Sequence, residues 1–420
     1  MIKKSLIVVG AGPAGLMAAI TAADAGQVVT VFESMPKPAR KLGISGKGRG
    51  NVTNTENYDK FLLHFNNRGR FLKTAFKKFF NKELVDFLAK EGLPTTEERG
   101  GRVFTSSGKA TDIVNCLHKA ALRRGITLKV GTPVKELLIK DGRCIGVSTG
   151  TIKHYASNVI LATGGLSYPA TGSTGDGLRF AKNCGHEIVK PLPSLCALKP
   201  SIPLPNYLEG VNPRNIKAEL FIDGKKAGEE FGEMLFQDGY LAGPIIITLS
   251  RIAVPALENK RKCEIIIDLK PALDHQKLDK RILRDIQEKK DQRFIDIVGG
   301  LLPNGLRQYC IKSLKLNTTT KADQTTAETR KQLRMWLKEL KFGIVGHAPW
   351  EQAIVTAGGV STKEINPTTM ESRIVKNLYF AGEIIDVDAD TGGFNLQAAF
   401  STGYLAGLST SSQPPFVKGD

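Results

Sequence analysis

Leu6-Ile7-Val8-Val9-Gly10-Ala11-Gly12-Pro13-Ala14-Gly15 decides how the first part of this chain folds. Leu6 to Val9 is apolar and β-branched, Pro13 to Ala25 is Ala-rich, and Val28 to Phe32 is apolar again, which predicts a strand, a helix and a second strand. The glycines between them read G-x-G-x-x-G. Gly10 permits the tight turn, Gly12 lets the backbone approach a pyrophosphate, and Gly15 allows close helix-to-strand packing. The helix opening at Pro13 and Ala14 adds amide donors and a positive dipole end. Glu33 closes the second strand eighteen residues after Gly15, where a carboxylate accepts hydrogen bonds from a ribose diol. With all these parts in order, the unit reads as a dinucleotide site, the alternative being a structural glycine turn.

Two later stretches point to which dinucleotide. Asn377-Leu378-Tyr379-Phe380-Ala381-Gly382-Glu383 is a strand running into Gly-acid, and Gly392-Gly393-Phe394-Asn395-Leu396-Gln397 leads into an Ala-rich helix. This resembles the late element of glutathione-reductase-type FAD proteins, which implies that Gly382 and Glu383 face the ribityl and pyrophosphate and that the helix start faces the isoalloxazine. A second, unrelated βα turn is the alternative. Val159-Ile160-Leu161-Ala162-Thr163-Gly164-Gly165 is a further strand ending in Thr-Gly-Gly, weighted by its order along the chain.

The chain has 420 residues, 43 of them Gly, is 41% hydrophobic and carries a net charge of +18. That composition is globular, of two or three packed units, and excludes a disordered chain. The longest apolar runs, such as Leu6 to Val9 and Pro244 to Leu249, fall far below the roughly 20 residues that cross a bilayer. With no small-residue cleavage site after the first apolar run, a cytoplasmic location is expected. Six cysteines without a Cys-x-x-Cys pair indicate neither disulfides nor zinc. The charge is uneven: residues 1–191 carry +15, 192–342 carry +7 and 343–420 carry −4. Such a basic half attracts polyanions or serves solubility alone.

Residues 34–57 lack periodicity and predict a long functional loop. Helices are expected at Gly69 to Leu88 and Lys109 to Arg124, then short strands from Ile126 to Leu161, some forming an antiparallel appendage. Six prolines between Pro191 and Pro213 mark a change of unit. The expected architecture is an α/β, glutathione-reductase-type FAD-binding Rossmann-like domain that is discontinuous (1–191 and 343–420). Its insertion, 192–342, is an α+β domain with a β-barrel-like part and helices, roofing the flavin.

Lys41-Leu42-Gly43-Ile44-Ser45-Gly46-Lys47-Gly48-Arg49-Gly50-Asn51-Val52-Thr53-Asn54, with Thr356-Ala357-Gly358-Gly359-Val360 and Gly382-Glu383 through Asn395, resembles the BaiN-like (YhiN-type) FAD-dependent oxidoreductases. That family includes proteins described as aminoacetone oxidases. Tyr168-Pro169-Ala170-Thr171-Gly172-Ser173-Thr174-Gly175 is similar as well, so the likeness runs end to end. It implies that the Ser45–Asn54 loop lies on the flavin, with Cys usual before the Asn. Here that position is Gly50, so this chain lacks that thiol. The residues agree with a cradle: glycines let amides approach phosphates, Arg40, Lys41 and Arg49 neutralise charge, and Asn51 or Asn54 bonds a polar ring edge. A flexible surface loop is the alternative.

The residues assigned to FAD are therefore Gly10, Gly12, Pro13, Ala14, Gly15, Glu33, Arg40, Lys41, Gly46, Gly48, Arg49, Asn51, Val134, Thr163, Gly164, Gly382, Glu383, Gly393, Phe394, Asn395 and Leu396. No catalytic residue is assigned. Lys47, His347, Glu383 and Asn395 are the groups that would orient substrate or manage a proton, against a commoner packing role. Tyr168 and Gly172 to Gly177 would line a substrate entrance or simply form turns. Asp386, Asp388 and Asp390 read as a solvated or capping run in preference to a metal site.

The expected function is an FAD-dependent oxidoreductase acting on a small molecule. The absence of a second complete fingerprint leaves its flavin reduced by substrate or by transiently bound NAD(P)H. The alternative is an RNA-associated flavoprotein docking phosphate through Arg68, Arg70, Lys73, Lys77, Lys78 and Lys82, against a plain solvated face. Substrate identity and oligomeric state are not legible.

Overall fold

The computed structural model describes residues 4–411. The chain divides into two compact units, one built from residues up to Leu192 and from Ile354 onward, the other Pro193–Ala353. The return thus falls at Ile354 and not at residue 343, because Leu340–His347 pairs with Cys263–Asp268 and stays in the second unit's sheet.

The first unit is built on β1 (Ser5–Val9), α1 (Pro13–Asp24), β2 (Val28–Phe32), β3 (Thr127–Lys129), β4 (Asn158–Leu161), β5 (Leu378–Phe380) and α2 (Phe394–Ser411). The strands form a parallel sheet in the order β5-β4-β1-β2-β3. β1 and β4 are almost wholly buried, which is why they read as unbroken apolar runs. From β1 the chain proceeds outward through β2 and β3, then crosses to β4 and β5 on the other side. The switch point lies between β1 and β4, and ligands of open α/β sheets bind at the carboxyl ends of strands there. Gly10, Thr163 and Gly382 follow the carboxyl ends of β1, β4 and β5.

Helix α2 packs along α1 at short range because two glycines face it. A Cβ added at Gly403 would lie 2.2 Å from Ala14 O, and one at Gly407 would lie 2.3 Å from Ala18 O. Its buried polar side chains are hydrogen-bonded: Gln397 accepts from Thr53 Oγ1 at 2.6 Å and donates to Ser401 Oγ at 2.9 Å.

The expected 34–57 loop is partly ordered. Arg40–Gly43 is a helical turn, and Asn51–Asn54 pairs with Arg102–Thr105 in a three-stranded antiparallel sheet. Pairing partners fifty residues away leave no local periodicity to read. The expected Gly69 to Leu88 helix is two helices, Gly69–Lys78 and Asn81–Lys90, interrupted where Phe79 turns extended to bury its ring.

In the second unit the barrel-like part takes the form of a seven-stranded antiparallel sheet. Its order is Lys225–Gly232, Ile216–Ile222, Cys263–Asp268, Leu340–His347, Leu198–Pro200, Tyr240–Ala242, Leu235–Gln237, and among the described residues no ladder joins the edge strands. Ile216, Ala218, Leu220 and Ile222 alternate inward. Helix Pro244–Glu258 escaped the sequence reading because Pro244 and Pro255 look like breakers, although proline at a first helical position starts a helix without cost.

Candidate functional site

The fingerprint turn is rigid on one side and open on the other. Gly10 sits at φ +101°, and a Cβ there would lie 2.5 Å from Ala162 O. A Cβ at Gly15 would lie 1.9 Å from Gly10 O. Gly12 is extended, caps α1, and an added Cβ would meet nothing within 4 Å. Two of the three glycines therefore serve packing, and the third borders open space at a helix N-terminus. Pro13 and Ala14 form the first turn behind it. Gly382 sits at φ +77° with its Cβ position 2.7 Å from Ala14 Cβ, bringing the exit of β5 onto the same turn.

Glu33 is already committed to backbone. Its Oε2 accepts from Ala11 N–H at 2.8 Å and its Oε1 from Met35 N–H at 2.8 Å. The carboxylate thus holds the fingerprint turn to the end of β2, and its remaining lone pairs are what a ribose diol would use. Thr132 N–H donates to Glu33 O at 2.8 Å, which places the buried Val134 just beyond this corner. The corner also receives Gly172, whose Cβ position is 3.7 Å from Glu33 Oε1. Thr163 and Gly164 leave β4 against Gly10, with Gly164 at φ +75°.

The glycine loop and the start of α2 are tied together by amides. Asn51 accepts from Gly393 N–H at 3.0 Å and donates to Thr53 O and Val103 O. Asn54 donates to Gly100 O and Gly392 O at 2.9 and 3.2 Å. A Cβ at Gly393 would lie 2.3 Å from Thr53 O. Asn395 accepts from Ala389 N–H at 2.9 Å and donates to Ala389 O and Asp390 O. These hydrogen bonds shape the loops around the start of α2, and the Asn51 and Asn395 amide oxygens each keep a lone pair for a further donor. Phe394 is buried against Phe61 and contributes its backbone, while Leu396 is half-buried.

The basic residues of the loop separate. Arg49 is paired at the surface: both its terminal nitrogens meet Glu98 and its guanidinium lies 4.4 Å from the Phe104 ring centre. Arg40 and Lys47 are exposed, with Lys47 at φ +57°, and Gly46 and Gly48 also adopt positive φ. Gly50 has φ +74°, and an added Cβ would lie 2.5 Å from Ile113 Cδ1 and 3.0 Å from Ala110 Cα, so a cysteine here would strain the backbone and displace Ile113. His347 belongs to the other unit, its Nδ1 2.9 Å from Ala348 O.

Lys41 forms the strongest polar cluster. Its Nζ lies 2.7 and 3.0 Å from the Glu383 carboxylate and 2.5 Å from Ser167 Oγ. Ser167 Oγ and Thr356 N–H also donate to Glu383 Oε1, at 2.7 and 2.9 Å. Burial pushes the Glu383 carboxyl up, but the Lys41 charge and these hydrogen bonds outweigh it and hold the group below its ordinary value. Four segments distant in sequence meet here. Ser167 was not anticipated, and its neighbour Tyr168 sits at φ +52°.

The acidic run is not a solvated one. Asp386 is buried with its carboxylate 2.5 Å from Arg68 Nη2, and Asp390 Oδ2 lies 2.8 Å from His64 Nδ1. Among the described residues no group of three or more acidic, His or Cys side chains is arranged to hold a metal ion. Burial, with Asp388 and Glu187 nearby, raises the Asp386 carboxyl to about 6 against the opposing pull of Arg68. A raised folded-state value means the stabilisation is complete below the ordinary aspartate pKa and is lost as pH rises to about 6. Asp386→Asn should therefore gain on the wild type between about pH 4 and pH 7, by of order 1–2 kcal/mol. Thermal melts with parallel pH dependence would contradict this.

Ser45 Oγ and Thr163 Oγ1 are buried without a hydrogen-bond partner, one in the glycine loop and one beyond β4. Orphan hydroxyls at both sites, with open space at Gly12, fit a polar ligand spanning the two. The HI0933-like protein Rossmann domain matches residues 4–409. The chain belongs to the HI0933-like family. This is a family of FAD-binding Rossmann oxidoreductases.

This HI0933-like chain is 30% identical over 97% of its length, and 98% of the relative's, to a ribosomal RNA dihydrouridine synthase of Haemophilus influenzae. It is 27% identical, over 97% of its length and 99% of the relative's, to a 3-dehydro-bile acid delta(4,6)-reductase of Clostridium scindens. Among solved structures, a 3-ketosteroid delta1-dehydrogenase from Sterolibacterium denitrificans shares the fold, with TM-score 0.51 at 14% identity over 98% of this chain and 100% of that one. Among the described residues no helix is long and apolar enough to cross a membrane.

Proposed function

We propose that this protein is an FAD-dependent reductase that saturates a carbon–carbon double bond conjugated to a carbonyl, with electrons drawn from transiently bound NAD(P)H. Two sets of contacts support the flavin site: the β5 exit closes on the fingerprint turn beside open space at Gly12, and the glycine loop is bonded through Asn51 to Gly393 at the start of α2. The bond class is supported by the names of the two relatives, which both describe adding hydrogen across a double bond. Bound FAD supplies two-electron transfer. The chain's own residues do the rest: amides at Gly12–Ala14 and the α1 dipole hold the pyrophosphate, Glu33 the ribose, and the orphan Thr163 and Ser45 hydroxyls donate to polar atoms. Lys41 and Glu383 hold the loops in register.

Purified protein should be yellow, bleach anaerobically with NADH or NADPH, and recover colour with a 3-oxo-4-ene steroid or a uridine-containing RNA. Protein that stays colourless after incubation with excess FAD would end the proposal. Bleaching by small amines alone would make it an oxidase. Glu33→Ala should weaken FAD binding by about 1.5–3 kcal/mol, roughly ten- to a hundredfold, because a charge-assisted ribose bond and two backbone acceptor contacts go together.

A second reading, RNA as the substrate, is favoured by one surface. Gly69–Lys78 contains no acidic residue, and Arg70, Lys73, Lys77, Lys78 and Lys82 are all exposed, whereas Arg68 is spent on Asp386. If this face docks phosphates, affinity for a ribosomal RNA fragment should fall steeply with salt, each lost phosphate contact removing about 0.7–0.9 from the log–log slope. Lys73→Glu with Lys77→Glu should flatten that slope. Binding that ignores salt, or the double variant, removes this reading.

A further inference from the structure

The start of α2 carries an imidazole whose position nothing above employs. His64 stacks on Phe394, the first residue of α2, with ring centres 3.8 Å apart and planes at 20°. Its Nδ1 lies 2.8 Å from Asp390 Oδ2, and its carbonyl accepts from Asp390 N–H at 3.3 Å. Asp390 is itself set by Asn395, which bonds Ala389 and Asp390. A carboxylate only accepts, so Nδ1 is the donor in this pair and Nε2 is the nitrogen whose proton exchanges. Charged groups near the ring include Asp390, Glu56, whose Oε2 is 3.7 Å from Nε2 and whose Oε1 is 3.9 Å from Lys60 Nζ, and the Arg68–Asp386 pair with Asp388.

The place is significant. Gly403 rests on Ala14 at the fingerprint turn, and Phe394 lies nine residues earlier on the same helix, about 13 Å further along at 1.5 Å per residue. The glycine loop reaches the same end through Asn51 and Gly393. A dinucleotide anchored by its pyrophosphate at Gly12 and extended along α2 would bring its flavin end towards His64.

We infer that His64, held by Asp390, is the proton-relay group at the flavin end of this site. With FAD held here and reduced by a nicotinamide-class donor, negative charge would develop at this end, and His64 Nε2 would take a proton from water, releasing hydroxide. When one carbon of the substrate double bond accepts the hydride, the His64 Nε2–H bond breaks and a C–H bond forms at the other carbon. The imidazole is left neutral, ready for the next cycle. This rests on the FAD reading above.

The test needs no substrate. The midpoint potential of FAD bound to the full-length protein is measured from about pH 5.5 to about pH 9 in wild type, His64→Gln and Asp390→Asn, a window that brackets imidazole titration. In a two-electron couple each coupled proton adds about 30 mV per tenfold change in proton concentration. The wild type should show one more coupled proton than His64→Gln over part of this range. Asp390→Asn, which takes away the carboxylate that Nδ1 donates to, should give a curve distinct from the wild type's. Curves that coincide in all three proteins overturn the relay. Wild-type protein that holds no FAD overturns the flavin reading, and the relay with it.

Discussion

Gly12→Val should give folded protein that cannot hold FAD. A Cβ at Gly12 meets nothing within 4 Å, so the valine has room in the apo fold and costs little stability. The same space is where a pyrophosphate must approach the backbone amides, and a branched side chain fills it. Purified Gly12→Val should be colourless even with excess FAD, while its circular dichroism and apo melting temperature match those of stripped wild type. Gly15→Val is the contrast: its Cβ position is 1.9 Å from Gly10 O, so overpacking should cost about 1–3 kcal/mol or more and lower the melting temperature itself. A Gly12 variant that stays yellow would show that the ligand lies elsewhere.

Glu383→Ala should have the second largest effect, on stability and FAD retention together. It leaves the Lys41 ammonium, three-quarters buried, without its partner, and takes the acceptor from Ser167 Oγ and Thr356 N–H. Removing one partner of a buried pair costs about 3–5 kcal/mol, and the residual exposure here places the expected loss nearer 2–3. The sign with pH follows from the lowered Glu383 value. Its contribution is complete above the ordinary glutamate pKa and disappears as pH falls through the lowered one. Urea unfolding should therefore separate wild type from variant at neutral pH and bring them together in acid. Equal unfolding midpoints at neutral pH would mean that the four segments are held by other contacts.

Local patterns were legible where short-range physics is sufficient. The run Leu6–Val9, the proline-started helix after Gly12 and the glycine spacing all act within a few residues, and each matches an element of the structure. The helices and strands of 110–161 were readable within a few residues of their ends for the same reason. Helix Pro244–Glu258 and the strand at Asn51–Asn54 were not, since the first carries prolines and the second exists only through pairing with Arg102–Thr105.

The side-chain assignments divide along the same line. The sheet-and-helix unit, the glycine turn at Gly10, Gly12 and Gly15 and the terminal acid at Glu33 are readable from the chain alone. Those depend on chirality, hydrophobic period and glycine's lack of a Cβ, which are properties of neighbouring residues. Packing of remote segments set the rest: Arg49 pairs with Glu98, Lys41 with Glu383, Asn395 pins a loop, and His64 meets Asp390 across 326 positions. A charged or amide side chain takes the nearest partner the fold supplies, and that partner is set by packing of remote segments, which leaves no period or spacing in the chain to read.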